Sequence, residues 1–154
     1  MPFTIRRATE SDLPQLLALL NLYYTEWDIW QRDPEDKVLA DLQQPGLGFF
    51  VVESHTGTEL AACVLLRPLP AITSAVECKR LYVAPNFRGH RLASLLMDAA
   101  ESAARDANLL WLYLDTKPEF DTAIVLYRKR GYEEIPRFND NAQATIFMRK
   151  SLLT

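Results

Sequence analysis

The stretch from Ala75 to Ala103 constrains this chain most. A β-rich run, Ala75–Val83, passes through Pro85-Asn86-Phe87-Arg88-Gly89-His90 directly into the strongest amphipathic helix of the sequence, whose apolar face is Leu92, Leu95, Leu96, Ala99 and Ala103. Glu101 and Arg105 stand four apart on that helix and are expected to pair on its outer side. A strand that feeds a helix through so short a loop gathers unpaired N–H groups and the positive end of the helix dipole at one spot, which suits an anion. Gly89 lets the backbone turn and approach closely, while Arg88, Arg91 and His90 can add charge around a phosphate or pyrophosphate. The same residues also fit a tight connection carrying solvated arginines.

Elements of both periods flank this unit. Residues 3–8 read as a strand, followed by an N-cap candidate at Ser11 and a helix marked by Leu13, Leu16, Leu17, Leu20, Tyr24 and Trp27, with Pro14 harmless in its first turn. A short helix is predicted over 34–42, ended by Gln44-Pro45-Gly46. The runs 49–53 and 60–66, joined through His55-Thr56-Gly57, read as an antiparallel hairpin. Residues 109–115 form a further strand, and 120–130 a helix with Arg128, Lys129 and Arg130 in its last turn and Gly131 at the C′ position. Strands over 132–135 and 144–152 complete the sheet. With no repeat and no linker, the reading is one mixed α/β domain over residues 1–154.

Composition removes several function classes. At 154 residues the chain can bury roughly 70% of its unfolded surface, and its 49% hydrophobic and 24% charged residues exclude intrinsic disorder. A net charge of -3 provides no general basic field, so no nucleic-acid partner is expected. Cys63 and Cys78 lie in apolar stretches without Cys-x-x-Cys spacing, which suits buried thiols and not a disulfide or zinc site. The N-terminal residues lack the apolar core of a secretory signal and no run is long enough to span a membrane, so a cytoplasmic protein without membrane association is expected. Neither Gly-x-x-x-x-Gly-Lys-Ser/Thr nor Gly-x-Gly-x-x-Gly occurs, which argues against a P-loop or dinucleotide site.

Around the Arg-Gly loop, "KRLYV", "FRGHRLASLLM", "LDT" and "LYRKRGY" follow one another between Glu77 and Tyr132. In order and spacing they resemble the GNAT family of N-acetyltransferases. The resemblance implies that family's fold, a single mixed, mostly antiparallel sheet of six to seven strands flanked by about four helices. It implies acetyl-CoA as donor and no metal. The family's cofactor motif, Gln/Arg-x-x-Gly-x-Gly/Ala, maps onto Arg88, Arg91 and Ala93, so Arg91 stands where a glycine is usual. An arginine takes φ > 0 only at a cost, and the reading here places Arg91 in right-handed helical backbone at the first turn. The implied pyrophosphate site comprises Arg88, Gly89, His90, Arg91, Leu92, Ala93 and Ser94. The implied pantetheine site is Leu81, Tyr82 and Val83, where the fourth and fifth strands splay apart.

Attack on a thioester needs a neutral amine, although an alkyl amine of pKa about 10.4 is mostly protonated at neutral pH. The resemblance makes Glu77 the candidate base, against the alternative of a strand carboxylate paired with Lys79 or Arg80. It makes a free N–H near Val83 the oxyanion donor and Tyr127 the acid that protonates the leaving thiolate. Taken alone, Tyr127 reads as a helix residue packed on the sheet. The segment 21–30 is aromatic and acidic, and Glu26 and Asp28 suit a cationic amine acceptor, while the same stretch also fits a helix end packed against the sheet. The expected activity is therefore acetyl transfer from acetyl-CoA to the primary amine of a small-molecule or amino-acid-like acceptor. The alternatives are a protein amine as acceptor, or a non-catalytic CoA-binding sensor or interaction module, the latter motivated by Arg91. Pairing through a sheet edge would allow a homodimer.

Overall fold

The computed structural model describes residues 2–55 and 59–153. Its strands are β1 (Phe3–Arg7), β2 (Gly48–Ser54), β3 (Leu60–Pro68), β4 (Ala75–Val83), β5 (Trp111–Thr116), β6 (Glu133–Ile135) and β7 (Ile146–Ser151). Its helices are α1 (Leu13–Glu26), α2 (Glu35–Leu42), α3 (Leu92–Asp106) and α4 (Asp121–Lys129). One sheet runs in the order β1-β2-β3-β4-β5-β7-β6. Only β4 and β5 pair in parallel, because α3 carries the chain back across the sheet between them; the other neighbours are antiparallel. This is the mixed, mostly antiparallel sheet with four flanking helices that the sequence implies.

β2 and β3 are apolar at nearly every position because both of their faces are covered. Phe49, Val51, Cys63 and Leu65 face a core shared with Leu16, Leu20 and Val38 of α1 and α2. Val52, Val64 and Leu66 face the other side, where Leu96, Met97 and Ala100 of α3 pack. Both cysteines are buried and unbridged, and burial pushes each thiol up to about 12.

Three local expectations need correction. Ser11 does not cap α1: a turn of 3-10 helix over Glu10–Asp12, itself capped by Thr9, precedes α1, whose N-cap residue is Asp12, and Thr9 N donates to Asp12 Oδ2 at 2.8 Å. Ser11 is exposed and only meets the Thr9 hydroxyl. Glu101 does not pair with Arg105 at the surface. It is buried, receiving Arg130 Nε at 3.1 Å, Lys150 Nζ at 2.7 Å and Tyr132 Oη at 2.9 Å, while Arg105 donates to the Leu152 carbonyl. The apolar stripe of α3 is wide enough to carry position 101 inward with Met97 and Ala104. Arg91 holds φ 59 and ψ 27, so it is left-handed and not in the right-handed backbone expected. In the predicted β2–β3 turn, Thr56 and Gly57 lie outside the described residues; His55 is exposed and its N–H bonds Pro2 O at 3.0 Å. Among the described residues no helix is long and apolar enough to cross a membrane.

Candidate active site

β4 and β5 pair over only four residues, from Ala75↔Trp111 to Cys78↔Leu114. Beyond Cys78, β4 continues to Val83 against β3 alone, and the sheet splits. The cause lies in β4, where the β3 register jumps from Cys63↔Tyr82 to Leu65↔Lys79, so Arg80 and Leu81 together oppose Val64. Arg80 takes φ 58 in this bulge, and Cys63 Sγ bonds its carbonyl at 3.3 Å. Past the bulge, Ala84 N donates to Ala61 O at 2.9 Å, which makes the neighbouring Val83–Ala62 pair the non-hydrogen-bonded kind. The N–H and C=O of Val83 consequently point away from β3 into the split.

Two connected hollows occupy the split. The wider, about 550 Å³, is lined by Leu81, Tyr82, Val83, Arg88, Gly89, Arg91, Leu92, Ala93 and Ser94, with Phe120, Ala123 and Leu126 opposite. Every residue expected at the CoA site is thus on its wall except His90, which is exposed and meets the Phe3 ring at a 55° tilt with centroids 5.1 Å apart. Gly89 (φ 89) and Arg91 (φ 59) bracket the loop ahead of α3, and a Cβ built on Gly89 would meet no atom within 4 Å. The first N–H groups of α3 have no intrahelical acceptor; the bond from Leu95 N to Arg91 O, 3.2 Å, begins the ladder. An open, glycine-floored loop with outward N–H groups and two arginines fits a pyrophosphate.

Arg88 is already engaged. Its Nε donates to Val83 O at 3.1 Å and its Nη2 to both oxygens of Glu26 at 2.8 and 2.9 Å. Tyr82 Oη donates to the same Glu26 carboxylate at 2.7 Å. Hydrogen bonding from Arg88 holds the Glu26 carboxyl below its usual range, with Tyr82 adding to it. Glu26 therefore lines the wider groove and not the narrower hollow. Asp28 is exposed, and Gln143 Nε2 takes its carbonyl at 2.9 Å.

The narrower hollow, about 90 Å³, shares Leu81, Phe120 and Ala123 with the groove and opens on the α1 side of the sheet between Tyr23, Ile29, Lys79, Arg80, Asp115, Lys117 and Tyr127. Tyr127 is buried, with its hydroxyl donating to no protein acceptor among the described residues. Burial holds that phenol well above 10, so it stays protonated at any physiological pH. Glu77 is not on the hollow's wall: it is buried behind Lys79, 3.2 Å from its Nζ, and accepts from Asn139 Nδ2 at 3.1 Å. Asn139 also bonds Asp115 at 2.6 Å, and Lys79 lies 3.5 Å from Asp115. Asp115 is the carboxylate that reaches the wall.

Sequence reasoning passed over Asp115, Lys117 and the network in which Asp33 joins Arg67 at 2.9 Å to Arg80 at 3.2 Å. The first two were within reach: alternation along 111, 113, 115 and 117 puts them on one face, beyond the point where β5 has a partner in β4. The Asp33 network, built from three separate elements, has no local signature. Among the described residues, no group of His, Cys, Asp and Glu is placed to hold a metal ion.

The acetyltransferase (GNAT) family model matches residues 13–132. The chain belongs to the GNAT acetyltransferase family. It is 30% identical over 139 residues to the N-acetyltransferase YjgM of Escherichia coli, covering 85% of this chain and 82% of that one. Its fold matches a GNAT acetyltransferase from Staphylococcus aureus with a TM-score of 0.84 at 18% identity, over 98% of this chain and 99% of the other. It also matches the PaiA N-acetyltransferase of Thermoplasma acidophilum, solved with coenzyme A, at TM-score 0.78 and 17% identity over 98% and 99%. This GNAT protein is accordingly an acetyltransferase.

Proposed function

We propose that this protein transfers the acetyl group of acetyl-CoA to the primary amine of a small, amino-acid-like acceptor. The observation that carries the reading is the junction of the two hollows, where the protonated Tyr127 hydroxyl has no protein partner and the Val83 N–H faces the split. The wide groove takes the donor, with its pyrophosphate over Gly89 to Ser94 and its pantetheine arm along Leu81 to Val83. The acceptor enters the narrow hollow from the α1 side.

The amine nitrogen attacks the thioester carbonyl carbon, the Val83 N–H stabilises the charge that develops on the carbonyl oxygen, and the C–S bond breaks. Tyr127 gives its proton to the departing thiolate. The amine proton goes to Asp115, the carboxylate on the wall. Glu77 fits a positioning residue better than a base, since it lies off the wall of the hollow while Lys79 and Asn139, both on its Oε2, link it to Asp115. The non-catalytic reading loses its motive, because Arg91 adopts the left-handed backbone that the usual glycine would supply.

Tyr127→Phe tests the assignment. Wild type should gain roughly 2.7 kcal/mol of stability with acetyl-CoA at a hundred times its Kd, and Y127F should gain the same. Release of CoA thiol by Y127F should be at least about tenfold slower at saturating acceptor. Absence of any shift at millimolar acetyl-CoA would remove the donor; a shift with wild-type turnover by Y127F would remove Tyr127 from the chemistry.

A further inference from the structure

The charges around the narrow hollow do not cancel evenly. Arg80 and Arg67 share Asp33, and Arg67 has Asp41 as well, so two guanidinium groups meet two carboxylates. Lys79 faces two carboxylates, Glu77 and Asp115. Lys117 is different. Its side chain is only 12% exposed, yet its nearest carboxylate is Glu119 at 3.8 Å on a side chain 61% exposed. Its ammonium is held in place by the Trp27 carbonyl at 3.3 Å and the Phe120 ring centroid at 5.3 Å, neither of which carries a countercharge. The wall is therefore bipolar, with excess negative charge at Asp115 and an under-compensated cation at Lys117.

We infer that the acceptor of this enzyme is an amine bearing its own carboxylate, held by Lys117 while Asp115 faces the amine. This rests on the reading of the narrow hollow as the acceptor site. Asp115 at the end of β5 and Lys117 just past it both line the hollow, and two residues of chain separate their Cα atoms by at most about 7 Å. An amine and a carboxylate separated by two or three bonds, each adding a charge-assisted contact of about 2.8 Å, span that interval and match its polarity. An amine without the carboxylate leaves the Lys117 ammonium with only the exposed Glu119 at 3.8 Å, and a largely buried charge that is weakly paired is costly. The cation thus selects against simple alkylamines and polyamines, for which acidic walls would be expected.

The test compares amino acids with their carboxamides, which keep the amine and side chain and lose only the negative charge. With acetyl-CoA saturating, the twenty L-amino acids and their amides serve as acceptors, and CoA thiol release is the signal. The best acids should exceed their amides in kcat/KM by roughly tenfold to a hundredfold. Lys117→Gln should shrink that ratio to near unity mainly through KM, leaving the KM for acetyl-CoA unchanged, while Lys117→Arg retains most of it. In parallel, N-acetyl amino acids and their amides are titrated against the CoA-loaded protein by thermal shift, with the acids binding more tightly and only when residue 117 is cationic. Equal use of acids and amides, an unchanged ratio in K117Q, or no acylation with no binding by any N-acetyl acid would overturn the inference. The shift given by CoA alone judges the donor site separately, so a failed acceptor inference and a failed acetyltransferase reading are told apart.

Discussion

Arg91 occupies φ 59 and ψ 27 immediately before α3. Its Cβ there crowds the following carbonyl, at a cost of about 1–2 kcal/mol. The position can be explained by what it faces: the side chain lines the groove over the first turn of α3, where a cation strengthens the hold on a pyrophosphate. Two terms of opposite sign decide the effect of Arg91→Gly. Relief of the left-handed strain stabilises the folded state, and the greater freedom of glycine in the unfolded chain takes back about 0.4–1 kcal/mol. R91G should therefore gain about 0.5 kcal/mol, seen as a higher urea midpoint with an unchanged m-value. The same variant should bind acetyl-CoA several-fold more weakly, with the difference fading as salt is raised. Tighter binding by R91G would mean that backbone approach, and not charge, limits the site.

At the scale of elements, α4 ends in a motif that fixes the proposed acid. Tyr132 N donates to Tyr127 O at 3.0 Å and Gly131 N to Arg128 O at 3.1 Å, the paired bonds of a Schellman turn, with Gly131 at φ 95. The Tyr127 and Tyr132 rings meet edge to face, 5.7 Å between centroids, as the apolar contact that usually accompanies it. Gly131→Ala brings no collision, since the added carbon would lie 4.0 Å from Lys150 Cε. It forces an L-residue into left-handed backbone, for a loss of about 1 kcal/mol in denaturant unfolding. Turnover should drop more than binding of acetyl-CoA does, because any unwinding of the turn moves Tyr127 first. This motif was legible in the sequence: three basic residues followed by glycine mark a helix end by local chemistry alone. So were the apolar runs of β2 and β3 and the loop that opens α3. The inward turn of Glu101 and the left-handed state of Arg91 were not. One depends on partners in α4 and β7, the other on how a loop is stretched between a strand and a helix, and neither leaves a periodic trace. At the proposed site, the wall of the wider groove was readable because its residues are nearly contiguous, from 81 to 83 and from 88 to 94 apart from His90. The proposed acceptor wall is assembled from α1, β4, β5 with the residue just past it, and the loop after β6, which is why Lys117 and Asp115 have no contiguous signature.

Across the whole molecule, the split proposed as the reaction site also removes hydrogen bonds between two halves of the sheet. Beyond Cys78 and Leu114 the ladder is absent, and a buried ion cluster joins the halves instead. Glu101 on α3 receives Arg130 from the end of α4, Lys150 from β7 and Tyr132 from the segment between them, while Arg130 also reaches Asp98 at 2.7 Å. Burial alone would raise the Glu101 carboxyl, but the three hydrogen bonds outweigh it and hold the group below 4.5. A depressed carboxyl stabilises the fold fully above its unfolded value and progressively less as the pH falls through its folded one. Asp12, lowered by Arg6, and Glu26, lowered by Arg88, act in the same direction. Unfolding free energy should therefore be level from pH 8 to about 5 and decline below that. Glu101→Gln leaves Lys150 without its carboxylate and Arg130 with Asp98 alone, a loss of about 3 kcal/mol at pH 7. Glutamine resembles the protonated acid, so the gap between wild type and E101Q should narrow as the pH falls through the depressed folded pKa of Glu101, where wild type loses the same charge. Urea unfolding of both proteins from pH 7 to pH 3 measures it. A gap that stays constant over that range would mean that Glu101 contributes through shape and packing, and that the two halves are held together without its charge.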